Sequence, residues 1–186
     1  MPESRFPLVV SLACHDLRTP LATVFGFART LTRAGELDDR TLRFLGMIED
    51  ASEQMTELLD ELGVAARIEG GRWEPALREI DTLELATAHD ERIRAEGSGE
   101  TIETEAEAVA QGLRSLAIAA SRYGPVDEVT WHVDGRKLEL APVTADAAPV
   151  VMAETVRDLG SIIARVVIEE LGGSLELDGG TLRVLL

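Results

Sequence analysis

Apolar residues recur near the start of this chain in alternating steps of four and three: Val10, Cys14, Leu17, Leu21, Val24, Ala28 and Leu31. Such a heptad seam is a helical signal, because only a helix brings those positions to one face. The helix is expected from about residue 7 to Arg33, with Gly35 as its stop. A second seam, Leu45, Ile48, Ser52, Met55, Leu59, Leu62 and Ala66, follows Asp38 or Asp39 as its cap. The short loop between the seams makes the two helices an antiparallel hairpin. Two helices leave apolar surface uncovered, so a symmetric four-helix bundle is expected, a homodimer through residues 8–66. The alternative is a monomer that covers the seam with its own C-terminal half.

Beside the first seam runs a stripe of Leu8, Leu12, His15, Thr19 and Ala22, offset by about 100°. His15 then flanks the core, Thr19 sits one turn beyond it, and Asp16 faces solvent with its carboxylate in reach of the imidazole. Pro20 removes the helical bond to the Asp16 carbonyl and is expected to bend the helix. A lone histidine on an apolar helix is ordinarily a core residue. The seven residues His15-Asp16-Leu17-Arg18-Thr19-Pro20-Leu21 together say more. They resemble the phosphoacceptor box of sensor histidine kinases, the dimerisation and histidine-phosphotransfer module. That resemblance implies that His15 accepts a phosphoryl group, that Asp16 gives acid–base assistance, and that Thr19 positions water for phosphatase chemistry. The residue types suit the task, since a neutral imidazole offers an unprotonated nitrogen near pH 7.

The formal charge is −16, from 34 acidic and 18 basic residues. A field of that sign opposes binding to nucleic acid or to an anionic membrane and favours protein partners. The single cysteine, Cys14, lies in the seam and reads as a small core residue rather than a nucleophile. No continuous apolar run is long enough for a membrane span, and Met1-Pro2-Glu3-Ser4-Arg5-Phe6-Pro7 lacks the apolar stretch of a signal peptide. A cytoplasmic chain, complete without a sensor region, is the expectation.

After Ala66 the periodicity breaks, and Gly70-Gly71 ends the second helix. The chain is therefore divided into a helical-hairpin domain, 1–67, and a second domain, 68–186. Helical patterns lie near 81–96, 105–123 and 153–171, and strand patterns near 73–79, 128–133, 136–141, 174–178 and 181–186. Asp134-Gly135 and Asp178-Gly179-Gly180 are hairpin turns. Together these predict an α+β sandwich, one sheet covered by helices on one face. The order resembles the ATP-binding domain of the same kinase family.

The family's nucleotide residues are largely replaced. In Leu113–Tyr123, which resembles the asparagine box, Ser115 and Ala119 stand where asparagines are expected, and alanine has no oxygen for magnesium. Val143–Pro149 is similar to the first glycine box, with Asp146 as a possible remnant of the adenine site, but without the glycines. The residues from Val150 to Arg157 leave no room for a phenylalanine box and lid. Arg157–Arg165 resembles the second glycine box, where Asp158 replaces a glycine and sets a carboxylate at the helix end that a triphosphate would use. His89 and His132 lack metal-ligand partners at useful spacing, Trp73 and Trp131 read as packing residues, and Glu100–Glu107 reads as a solvated face leading into a helix.

The resemblance thus implies a degenerate kinase architecture. It points to a phosphorelay protein in which His15 exchanges a phosphoryl group with response-regulator receiver domains, with no tightly bound cofactor, no ATP, and magnesium supplied with the receiver. An ATP-dependent histidine kinase with a divergent nucleotide site, or a non-catalytic interaction protein of the same fold, are the alternatives.

Overall fold

A computed structural model describes residues 6–34, 37–87 and 93–186. The expected helix stop Gly35 and the side chain of His89 lie outside the described residues. The chain divides into two compact units, 1–72 and 73–186.

The first unit is a helical hairpin of α1 (Phe6–Arg33) and α2 (Asp39–Glu69). Asp38 caps α2, its Oδ1 accepting from the amides of Arg40 and Thr41 at 2.9 and 3.0 Å. These bonds hold its carboxyl below the ordinary carboxylate range, with the Thr41 hydroxyl as the largest cause. α2 ends at Glu69, two residues past the expected domain boundary, and Gly71 turns the chain away at φ +61. α1 runs unbroken through Pro20.

Only half of each seam is buried within the hairpin. Cys14, Leu21 and Ala28 are buried on α1, and Leu45, Ser52 and Ala66 on α2. Between them Leu17, Val24, Leu31, Ile48 and Met55 stay exposed. The cause is geometric: one neighbouring helix covers every seventh position, and the interleaved positions face elsewhere.

One expectation needs correction here. α1 is long and apolar enough, by length and composition, to cross a membrane. Asp16 and Arg18 interrupt its apolar run without lowering the average hydropathy far.

The second unit contains a five-stranded sheet in the order β2-β4-β5-β7-β6 and a separate antiparallel pair, β1-β3. Its strands are β1 (Arg78–Asp81), β2 (Ile93–Gly99), β3 (Thr101–Thr104), β4 (Val129–Gly135), β5 (Lys137–Ala141), β6 (Ser174–Asp178) and β7 (Thr181–Leu185). The helices are α3 (Thr82–Ala86), α4 (Ala106–Tyr123), α5 (Ala148–Val151) and α6 (Leu159–Glu170). β2 and β4 are parallel, joined by a crossover through α4, and the other pairs are antiparallel. Val129, Trp131, Val133, Leu138, Leu140, Leu182 and Val184 are buried, while His132, Asp134 and Glu176 are exposed, the alternation of a sheet covered on one side.

Four segments differ from expectation, and the first is the strand expected near 73–79, which forms only over Arg78–Asp81. The helix expected over 81–96 is only α3, and Ile93–Gly99 is strand β2. Its sequence, Ile-Arg-Ala-Glu-Gly-Ser-Gly, is a poor strand former held by pairing with β4. The acidic segment leads into a helix as expected, Glu105 capping α4, but it is not a purely solvated face: Thr101–Thr104 is β3 and buries Ile102 and Thr104. α6 starts at Leu159 rather than at 153, because Asp158 caps it.

Candidate functional site

The histidine turn follows directly from the packing of α1. Cys14 is 1% exposed and anchors its turn against α2, so the next residue on the helix is turned about 100° outward. The His15 side chain is 78% exposed and that of Asp16 67%. Nδ1 of His15 lies 3.3 Å from Asp16 Oδ1. A neutral imidazole that donates its Nδ1–H to that carboxylate carries its lone pair on Nε2. Thr19 is exposed on the following turn, so His15, Asp16 and Thr19 share one solvent-facing surface.

Arg18, inside the same heptapeptide, had no partner that the sequence reading could name. Its Nε and Nη2 donate to Asp60 Oδ1 on α2 at 3.0 and 2.6 Å. A contact between residues 42 apart leaves no local signal; only the hairpin brings them together.

In the second unit, α4 and α6 pack through small residues. A Cβ on Gly112 would lie 3.3 Å from Ala164, and a Cβ on Gly160 would come within 2.8 Å of Ser115. Ala119 is fully buried. Gly160, read as part of a glycine box, thus serves the close approach of α4.

The amide end of α6 is taken by the protein itself. Asp158 Oδ1 accepts from the Ser161 amide at 2.9 Å and from the Ser161 hydroxyl at 3.1 Å. Its other oxygen lies 3.7 Å from Arg122 Nη1, and the neighbouring Tyr123 hydroxyl donates to the Arg157 carbonyl at 2.9 Å. These contacts tie the end of α4 to the start of α6, and neither partner was legible in the sequence. Asp146 lies exposed in the turn before α5 and is not among the residues brought to this cluster by any of these bonds. His132 pairs with Glu96 across β2 and β4 at 3.0 Å, and Trp131 is fully buried, as a packing residue should be.

Residues 8–71 match the His Kinase A (phospho-acceptor) domain family. The chain is 35% identical over 75 residues to the circadian input-output histidine kinase CikA of Synechococcus elongatus, which covers 39% of this chain and 10% of that protein. It is 32% identical over 63 residues to the probable sensor histidine kinase TcrY of Mycobacterium tuberculosis, covering 34% of this chain and 13% of that one. The chain therefore spans only a small part of the length of the curated relatives it matches. Full-length ShkA, solved in complex with AMPPNP, shares the fold over 96% of this chain and 44% of its own, with a TM-score of 0.63 and 21% identity. The Acinetobacter baumannii histidine kinase AdeS shares it over 92% of this chain and 96% of its own, with a TM-score of 0.51 and 15% identity. Residues 8–71 thus form a His Kinase A (phospho-acceptor) domain, and the chain as a whole shares the fold of the two solved histidine kinases.

Proposed function

We propose that this chain is a phosphorelay protein that carries a phosphoryl group on His15 and exchanges it with response-regulator receiver domains, without an ATP step of its own. In that reaction the Nε2 lone pair attacks the phosphorus of an aspartyl phosphate, the acyl-oxygen bond to phosphorus breaks, and the receiver's carboxylate leaves. Asp16 holds the Nδ1 proton and stabilises the charge that builds on the ring. The receiver supplies the magnesium that neutralises the phosphoryl oxygens. Thr19, exposed one turn on, is the group placed to orient water for hydrolysis.

The observation that carries the ATP-independent part is the Asp158 carboxylate on the Ser161 amide and hydroxyl at the start of α6. An anion at that end competes with and repels a triphosphate. Ala119 offers no oxygen to a metal, and Ser115 fills the space beside Gly160. The exposed half-seam supports a homodimer, closing a four-helix bundle with two outward histidines.

A second reading, an ATP-dependent histidine kinase, is favoured by the fold shared with the AMPPNP-bound ShkA structure across nearly the whole chain. Incubation with labelled ATP and magnesium, on the wild type and on His15→Ala, separates the two. The relay reading expects no acid-labile label from ATP and His15-dependent label from a phosphorylated receiver. His15-dependent label from ATP would overturn it in favour of the kinase.

A further inference from the structure

Arg18 bridges the groove between α1 and α2. Its Nε and Nη2 converge on one oxygen of Asp60, and a Cβ on Gly63, one turn further along α2, would lie 3.4 Å from the same Nη2. The contact is short and charge-assisted, yet the two side chains remain 39% and 58% exposed. Water screens such a pair, so it is readily exchanged for a more highly charged partner.

That partner would arise one turn away. Helical positions three apart are neighbours, so Arg18 stands beside His15. In the free state the imidazole engages Asp16 through Nδ1 and makes no demand on the guanidinium. With His15 as the phosphoryl carrier, on the reading above, Nε2 gains negative charge and three acceptor oxygens, which a guanidinium fork fits well.

We propose that Arg18 is a positioning residue with two partners: Asp60 while His15 is free, and the phosphoryl group while His15 is loaded. Loading then releases α2 from α1 at Asp60. The phosphoryl state of one side chain becomes a change in the hairpin, and a partner bound to α2 can sense it.

Phosphoramidate tests this in the full chain without a receiver. The His15 Nε2–phosphorus bond forms, the donor's nitrogen–phosphorus bond breaks, ammonia leaves, and the Nδ1 proton passes to solvent. Amide hydrogen exchange of α2 is then followed by mass spectrometry. Loading is expected to speed exchange around Asp60 by about two- to fivefold, the factor an exposed ion pair is worth. Asp60→Asn should show the faster exchange before loading and gain nothing further from it. Unchanged exchange in the loaded wild type, or an Asp60→Asn chain that responds as the wild type does, would overturn the proposal. His15→Glu supplies a second measurement that needs no donor, since it sets a carboxylate on the same turn. Its effect on α2 exchange should disappear in the Arg18→Gln background; persistence there would also overturn the proposal. Because phosphoramidate bypasses receivers, failure of receiver transfer and failure of the Arg18 exchange are separate results.

Discussion

Asp158 and Ser161 form a closed capping unit at the start of α6, one carboxylate oxygen accepting from the amide at 2.9 Å and from the hydroxyl at 3.1 Å. The same carboxylate caps the helix and, on the proposed reading, opposes an anion there. These two roles can be separated. Asp158→Ala is expected to cost about 1 kcal/mol through loss of the cap, lowering the midpoint of thermal unfolding by about 4 °C. Asp158→Asn keeps a good cap and drops the charge, so its midpoint should stay near the wild type. Calorimetry of both variants checks this, and an Asn variant as unstable as the Ala variant would show that charge, not capping, is what Asp158 contributes.

Leu17 and Leu21 carry the same side chain on one helix and differ in what covers it. Leu21 packs on α2, and Leu17 is 54% exposed within one chain. Leu21→Ala is expected to destabilise the hairpin by about 2–5 kcal/mol at any protein concentration. Leu17→Glu should leave the single hairpin intact and halve the mass measured by light scattering, because the proposed homodimer covers this site with a second copy. Equal masses for wild type and Leu17→Glu would argue against the homodimer.

Gly97 lies in β2 at φ +120, where a Cβ would run into the Val133 carbonyl oxygen of β4. Gly97→Ala must therefore push the parallel pair apart or abandon that backbone conformation. A loss of about 2 kcal/mol or more is expected, read as a lower urea midpoint for the second unit. A midpoint unchanged from wild type would mean that β2 is free to shift.

Glu139 is hydrogen-bonded by Arg183 at 3.0 Å, and Lys137 lies 3.5 Å from its other oxygen. The Arg183 bond is the largest cause that holds its carboxyl below the ordinary value of 4.5. A carboxylate depressed in the folded state contributes stability that is present above the unfolded value and lost as pH falls through the folded one. Stability measured from pH 7 downward should thus begin to fall around 4.5 and continue below it. Glu139→Gln should flatten that part of the profile. An identical acid slope in the variant would place the loss in other carboxylates.

Much of this protein was legible in the chain alone. The seven-residue spacing of Cys14, Leu21 and Ala28 sets the buried face of α1 because helical geometry is local, and the same logic turns His15 and Asp16 outward together. Capping by Asp38 and Asp158, the glycine stop after α2 and both hairpin turns rest on backbone chemistry within four residues, so they too were readable. What sequence could not settle are contacts between distant segments. β2 is polar and glycine-rich, and only its partner β4 makes it a strand; β3 hides inside an acidic run until Ile102 and Thr104 are buried. The Arg18–Asp60 clamp and the ties of Arg122 and Tyr123 to the start of α6 belong to the same class. Local steric and hydrogen-bonding rules act over a turn or two of chain, whereas strand pairing and interhelical ion pairs exist only once the fold has brought their partners within reach.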